Sequence, residues 1–183
     1  MKKGRSNRKG HAFENMIAKK LSLWWTNGKR DDVFIRSDSS GGRATNRSKR
    51  GQRQFGQYGD IQAADPIGQP LIDLCVIECK DGYARDSIAD LLDKEPRHKP
   101  KYEQFIRQAK KARKQSRSRS WLLIARRRGR QIMIFMPRSL LTDMQVSFED
   151  CIMLYSPLGP ICGCRLKEFL QSTTRDDVGY ALS

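Results

Sequence analysis

Residues 59–83 read GDIQAADPIGQPLIDLCVIECKDGY, and how this stretch folds governs the rest of the chain. Its centre, Val76-Ile77-Glu78-Cys79-Lys80, has the composition of a buried strand. Alternate residues of a strand face one side, so Glu78 and Lys80 project together while Ile77 and Cys79 face the opposite layer. Buried strands seldom carry a carboxylate and an ammonium two positions apart. An ion pair on a solvated sheet face is the plain alternative. Against it, Ile72, Leu74 and Val76 would share that face if residues 71–80 form one strand. A buried ion pair is a poor route to stability, so the pair points to chemistry.

Upstream, residues 59–64 read as a second strand, joined to 71–80 through the turn signal DPIGQP. If the two strands pair, Asp60 approaches Glu78 from the neighbouring strand. Close carboxylates repel, and burial raises their pKa unless a cation is present. A hard cation such as Mg²⁺ relieves that cost, because it favours oxygen ligands and keeps several waters. Metal coordination acidifies water and polarises a phosphoryl oxygen, and Lys80 can then orient the water or stabilise charge developing on the phosphate. The set suits hydrolysis of a phosphodiester. Asp65 and Asp73 compete with Asp60. Asp65 precedes Pro66 and reads as a turn residue, whereas Asp73 falls on the expected strand of Glu78 and cannot reach across from a neighbour.

The 183 residues suffice for one domain with its own core. A formal charge of +16 and a pI near 10.0 make a polyanion the expected partner. No run of 18 apolar residues exists to span a membrane. The basic opening MKKGRSNRKG is not followed by the apolar core of a signal peptide, which leaves the cytoplasm as the expected location. The five cysteines, at 75, 79, 151, 162 and 164, lack CxxC pairs, and their odd number argues against a closed disulfide framework. CGC at 162–164 is a weak metal signal. His11 and His98 sit among basic residues, where a phosphate contact or solvation is expected rather than general-base work.

Around the central stretch, residues 11–25 place Phe13, Ile17, Leu21 and Trp24 at helical spacing, with Glu14 at the edge of that stripe. DVFIRS at 32–37 reads as a short strand ended by SDSSGG. Residues 41–58 hold five Arg or Lys and almost nothing apolar, so they read as a long basic loop. A helix over about 99–116 carries Tyr102, Phe105, Ile106, Ala109 and Ala112 on one side. WLLIA at 121–125 and QIMIFM at 131–136 read as strands around the turn RRRGR. Beyond Pro137 the chain reads as short helical and irregular pieces, with a helix at 164–172. The order helix, three strands, helix, two strands gives one mixed α/β sheet with flanking helices.

GDI at 59–61 followed by IECK at 77–80 resembles the PD-(D/E)xK nuclease superfamily, and within it the archaeal-type Holliday junction resolvases. RKGHAFENMIAKKL with Glu14, IRSDSSGG at 35–42, and the helix feeding another strand extend the resemblance over roughly residues 8–136. The resemblance implies a metal-dependent DNA endonuclease on a restriction-endonuclease-like αβββαβ core. It would occupy residues 1–136, with a basic arm at 1–10 and the loop at 41–58. Residues 137–183 would form a C-terminal extension packed on that core. It further implies that Asp60 and Glu78 bind Mg²⁺, replaceable by Mn²⁺, with the Cys79 carbonyl as a further ligand. Lys80 would act on the nucleophilic water, and Glu14 would be a supporting or second-metal carboxylate, although a rim position on the helix competes. Gln104 would support the site from the next helix; Gln108 lies one turn on, and simple helix solvation explains either. Ser39 and Ser40 would lie near the scissile phosphate, and two copies would act on a four-way junction. Arg8, Lys9, Arg36, Arg43, Lys49 and Arg50 are the expected grips on DNA arms. Two rivals stand beside this reading: a duplex endonuclease of restriction or nicking type, and a non-catalytic basic protein that merely binds nucleic acid.

Overall fold

The computed structural model describes residues 4–37, 58–93, 95 and 99–183, with side chains from position 9 onward. Ser39, Ser40, Arg43, Lys49, Arg50 and His98, and the side chain of Arg8, lie outside the described residues. Helix α1 spans Gly4–Trp25, so residues 4–10 continue the helix rather than form a separate basic arm. Its buried stripe is Phe13, Ile17, Leu21 and Trp25, each four residues after the last. Trp25 therefore takes the place expected of Trp24. Trp24 is half-buried and donates its indole N–H to the Thr173 carbonyl at 2.8 Å. Full burial of four such side chains contributes roughly 6 kcal/mol or more. That is ample to hold a helix this rich in Lys and Arg against the sheet.

Strands β1 (Phe34–Arg36) and β2 (Ile61–Ala63) pair antiparallel as a two-stranded sheet, with Arg36 opposite Ile61. A 3₁₀ turn (Pro66–Gly68) and helix α2 (Gln69–Leu74) follow, leading directly into β3 (Cys75–Gly82). This corrects the expectation of a strand from 71: Leu71 and Leu74 are buried helical residues, and Ile72 and Leu74 do not share a strand face with Glu78. The expected pairing is corrected too, since β2 ladders with β1 and not with β3. Asp65 caps the 3₁₀ turn by accepting from the Ile67 N–H at 3.0 Å, as expected of a turn residue. Asp73 is exposed on α2 and accepts from Gln69.

After the short helix α3 (Asp90–Asp93), helix α4 (Lys101–Ser116) crosses back to β4 (Ser120–Arg127), which pairs parallel with β3. The register sets Glu78 opposite Leu123 and Lys80 opposite Ala125. Strand β5 (Ile132–Pro137) returns antiparallel to β4, and helix α5 (Arg138–Asp143) follows. The region expected to be helical and irregular holds two further strands, β6 (Ile152–Ser156) and β7 (Gly159–Arg165). They complete a sheet of order β3-β4-β5-β7-β6, and helices α6 (Leu166–Ser172) and α7 (Arg175–Leu182) end the chain. Pro157 and Pro160 hid this hairpin, since proline weakens a strand reading. CGC lies in β7, where a Cβ on Gly163 would stand 2.5 Å from the Phe135 ring. Close packing therefore explains that glycine.

The architecture is thus α/β, a five-stranded mixed sheet flanked by helices. One core, containing Phe13, Ile17, Ile77, Cys79, Leu122 and Ile124, lies on the α1 side. The other, containing Val76, Tyr102, Phe105, Ile106, Leu123 and Ala125, lies beneath α4. All five cysteines are free. Among the described residues no helix is long and apolar enough to cross a membrane.

Candidate active site

Among the described residues, strand β3 is an edge strand of the large sheet, with β4 on one side only. Its other edge meets the chain entering β2. There the Asp60 N–H donates to the Ile77 carbonyl at 2.7 Å, while the Asp60 carbonyl accepts from the Ser37 N–H at 2.8 Å. The Asp60 backbone is thereby fixed between the end of β1 and the free edge of β3. Gly59 makes the approach possible. Its φ is +77°, and a Cβ there would stand 2.6 Å from the Ile77 carbonyl oxygen. The GDI motif therefore has a steric reason for its glycine.

The Asp60 side chain turns back onto the same strand. Its Oδ2 accepts from the Cys79 N–H at 2.7 Å and lies 3.7 Å from Lys80 Nζ. Lys80 Nζ also donates to Glu78 Oε2 at 2.8 Å, so one ammonium bridges both carboxylates. The structure thus brings Asp60, Glu78 and Lys80 together, although Asp60 arrives from a segment outside any ladder with β3. Glu78 is buried, and its Oε2 accepts a further bond from the Gln108 amide at 2.6 Å. Lys80 lies 5.8 Å from the centre of the Phe105 ring, so α4 supplies both an amide and an aromatic floor.

The glutamine that touches the site is Gln108. Gln104, one turn earlier, is exposed, and its backbone N–H bonds the Pro100 carbonyl. Sequence spacing admits both positions, and only the tilt of α4 against β3 separates them. Glu14 is buried on α1, with Oε2 3.1 Å from Arg36 Nε. Arg36 also lies 3.5 Å from His11 Nε2. Arg36, expected to grip DNA, thus spends its charge on Glu14, while Lys9 is exposed.

Burial pushes the Glu78 carboxyl up to about 7, with Lys80 opposing the rise and Asp60 adding to it. Burial works to lower Lys80, but Glu78 and Asp60 outweigh it and hold the ammonium firmly charged. Burial raises the Cys79 thiol well above its ordinary value, and the charges of Asp60, Glu14 and Glu78 add to this. Three carboxylates therefore act on one short segment of strand.

The donor set suits a hard cation. Asp60 and Glu78 present carboxylate oxygens to a site where one positive charge already bridges them. A strand residue aims its N–H and C=O at the same edge, so the Cys79 carbonyl faces the edge on which Asp60 sits. Among the described residues no third His, Cys, Asp or Glu stands close enough to complete an all-side-chain cluster. Such a donor set matches the Mg²⁺ habit of binding through one or two carboxylates and retaining waters.

The model of the family described as "Phage putative PDDEXK endonuclease" matches residues 5–154. The chain belongs to this PDDEXK endonuclease family. The matched span runs from α1 into β6 and contains Glu14, Asp60, Glu78, Lys80 and Gln108. It passes beyond Met136, where the resemblance read from sequence ends. No curated protein and no solved structure matches the chain.

Proposed function

We propose that this PDDEXK protein is a divalent-metal-dependent endonuclease that hydrolyses phosphodiester bonds in DNA, with branched DNA such as a four-way junction as its preferred substrate. One observation carries the hydrolytic part: Asp60, Glu78 and Lys80 converge at the free edge of β3, all largely withdrawn from water. A protein that only bound DNA would gain nothing from two buried carboxylates placed to repel phosphate. Asp60, Glu78 and the Cys79 carbonyl are the proposed holders of Mg²⁺, with Mn²⁺ as a substitute. The ion, when bound, supplies an acidified water and a polarised phosphoryl oxygen.

The remaining work falls to side chains of the chain itself. Gln108 fixes the rotamer of Glu78 through its amide, and the Cys79 N–H fixes that of Asp60. Lys80, held charged by Glu78 and Asp60, would act on the nucleophilic water or on the charge developing on the attacked phosphate. Glu14 holds Arg36 at the foot of the site as a positioning residue. The branched-DNA preference is supported by the ordered series of Glu14, RSDSSGG, GDI and IECK. Two opposed cuts across a junction entail two copies of the chain.

The test is a gel in which labelled four-way junction, fork and linear duplex are incubated with Mg²⁺ or with chelator. Cleavage of the junction in Mg²⁺ alone is expected. Equal cutting of linear duplex would remove the branched preference, and absence of cutting with both Mg²⁺ and Mn²⁺ would remove the nuclease.

A further inference from the structure

Past Lys80, strand β3 runs through Asp81 and Gly82 into an open groove of about 600 Å³. One wall is the α1 surface at Lys9, and the other is the β4–β5 turn with Arg126, Arg127, Arg128 and Gly129. Among the described residues the groove holds four cations against one acid, Asp81.

That acid is already committed. Arg126 donates to both Asp81 oxygens at 2.9 Å, and its guanidinium lies 4.8 Å from the centre of the Phe13 ring. The pair is a strut between β3, β4 and α1. Lys9, Arg127 and Arg128 have no acid partner among the described residues, and Lys9 and Arg128 are exposed. A Cβ added at Gly82 or Gly129 would meet nothing within 4 Å, so bare backbone is open to a close-lying ligand. Lys80 and Gly82 are about 7 Å apart along the strand.

The geometry points to a phosphate track: this groove holds the sugar–phosphate backbone of the DNA strand leaving the active site, with Lys9, Arg127 and Arg128 as its cations. An arginine fork suits phosphate oxygens. The open shape suits a polymer better than a small anion. The assignment rests on the endonuclease reading for the identity of the ligand. It adds the turn at 126–129, far in sequence from Asp60 and Glu78, to the DNA-binding surface.

The experiment measures binding of a labelled DNA duplex across a salt series, in chelator so that nothing is cut. Arg127→Gln/Arg128→Gln is expected to weaken binding about tenfold and to reduce the slope of log K against log salt by about 1.8, near 0.9 per lost phosphate contact. Lys9→Gln, on a different element, should reduce it by about 0.9 and keeps the test informative if the double variant folds poorly. Lys29→Gln/Lys167→Gln removes equal charge from exposed positions elsewhere and should change binding less than twofold. An unchanged slope in the turn and Lys9 variants, or an equal loss in the control, overturns the track. The two readings fail separately. A wild type that cuts no DNA while the turn variants lose slope sinks the nuclease alone, whereas normal cutting with unchanged slopes sinks the track alone.

Discussion

Gly59→Ala should damage the site through the backbone, without touching any ligand. The Ile77 carbonyl oxygen that receives the Asp60 N–H at 2.7 Å is the atom an added Cβ would meet at 2.6 Å, with Val76 Cγ2 at 2.8 Å. Ordinary contact begins at 3.4 Å, so about 0.8 Å of movement is needed, and it must come from the Asp60 segment or from β3. The left-handed φ costs about 1–2 kcal/mol for alanine, and overpacking adds about 1–3 kcal/mol. A total of about 2–5 kcal/mol corresponds to a Tm loss near 10 °C for a chain of this size. A displacement approaching 1 Å in a positioned carboxylate costs on the order of 100-fold in rate. Thermal unfolding and cleavage well below the transition would be measured beside Gly28→Ala. That control also has positive φ, +81°, but nothing within 4 Å of its Cβ, so it should lose only about 1–2 kcal/mol and keep its activity. Equal Tm and activity in the two variants would refute the argument that Gly59 exists to seat Asp60.

Three further outcomes follow from the same geometry. Gln108→Leu should weaken metal binding and cleavage by about 10–100-fold, while Gln104→Leu should stay within about threefold; the reverse order in a metal titration would reassign the glutamine. Glu78 binds a proton up to about pH 7 in the folded, metal-free chain, against 4.5 as its ordinary value. Its contribution to stability is therefore fully present below about 4.5 and is lost as pH rises through 7. Metal affinity should move the opposite way, falling about tenfold per unit below pH 7 as protons compete for the carboxylate. Calorimetric Mn²⁺ titrations and melting curves at pH 5.5 and 8 check both signs, and a pH-independent metal affinity would contradict the reading. Finally, Glu14→Leu should cost about 3 kcal/mol by stranding the largely buried Arg36, and adding Arg36→Met should recover part of it. Additive losses in denaturant melts would count against the pair.

The candidate cluster was more legible in the sequence than the path that assembles it. Glu78 and Lys80 follow from period-two geometry alone, and Asp60 is the acid that a turn beside Pro66 and an exposed position on α2 leave standing. The route of Asp60 is hidden because QPLIDL has the apolar density of a strand, and only its burial as α2 reveals a short helix feeding β3. The prolines and glycines of β7 and of the turn before it mimic loop composition, while tertiary contact, with Gly163 lying under Phe135, makes the β6–β7 hairpin sheet. Choosing Gln108 over Gln104 needs the rotation of α4 to within a fraction of a turn, which no spacing rule supplies. The charge of Arg36 is visible in sequence, whereas its ion pair with Glu14, 22 residues away, is not.

The central claim is that Asp60, Glu78 and Lys80 form one hydrolytic centre separate from the surfaces that hold DNA. It is tested most directly by measuring, in the same preparations, DNA affinity in chelator and single-turnover cleavage in saturating Mg²⁺ for wild type, Asp60→Asn and Lys80→Ala. The expected result is cleavage lost by at least 1,000-fold in both variants, on the order of 4 kcal/mol of transition-state stabilisation, with affinity within about threefold of wild type. Cleavage at the wild-type rate in either variant would contradict it.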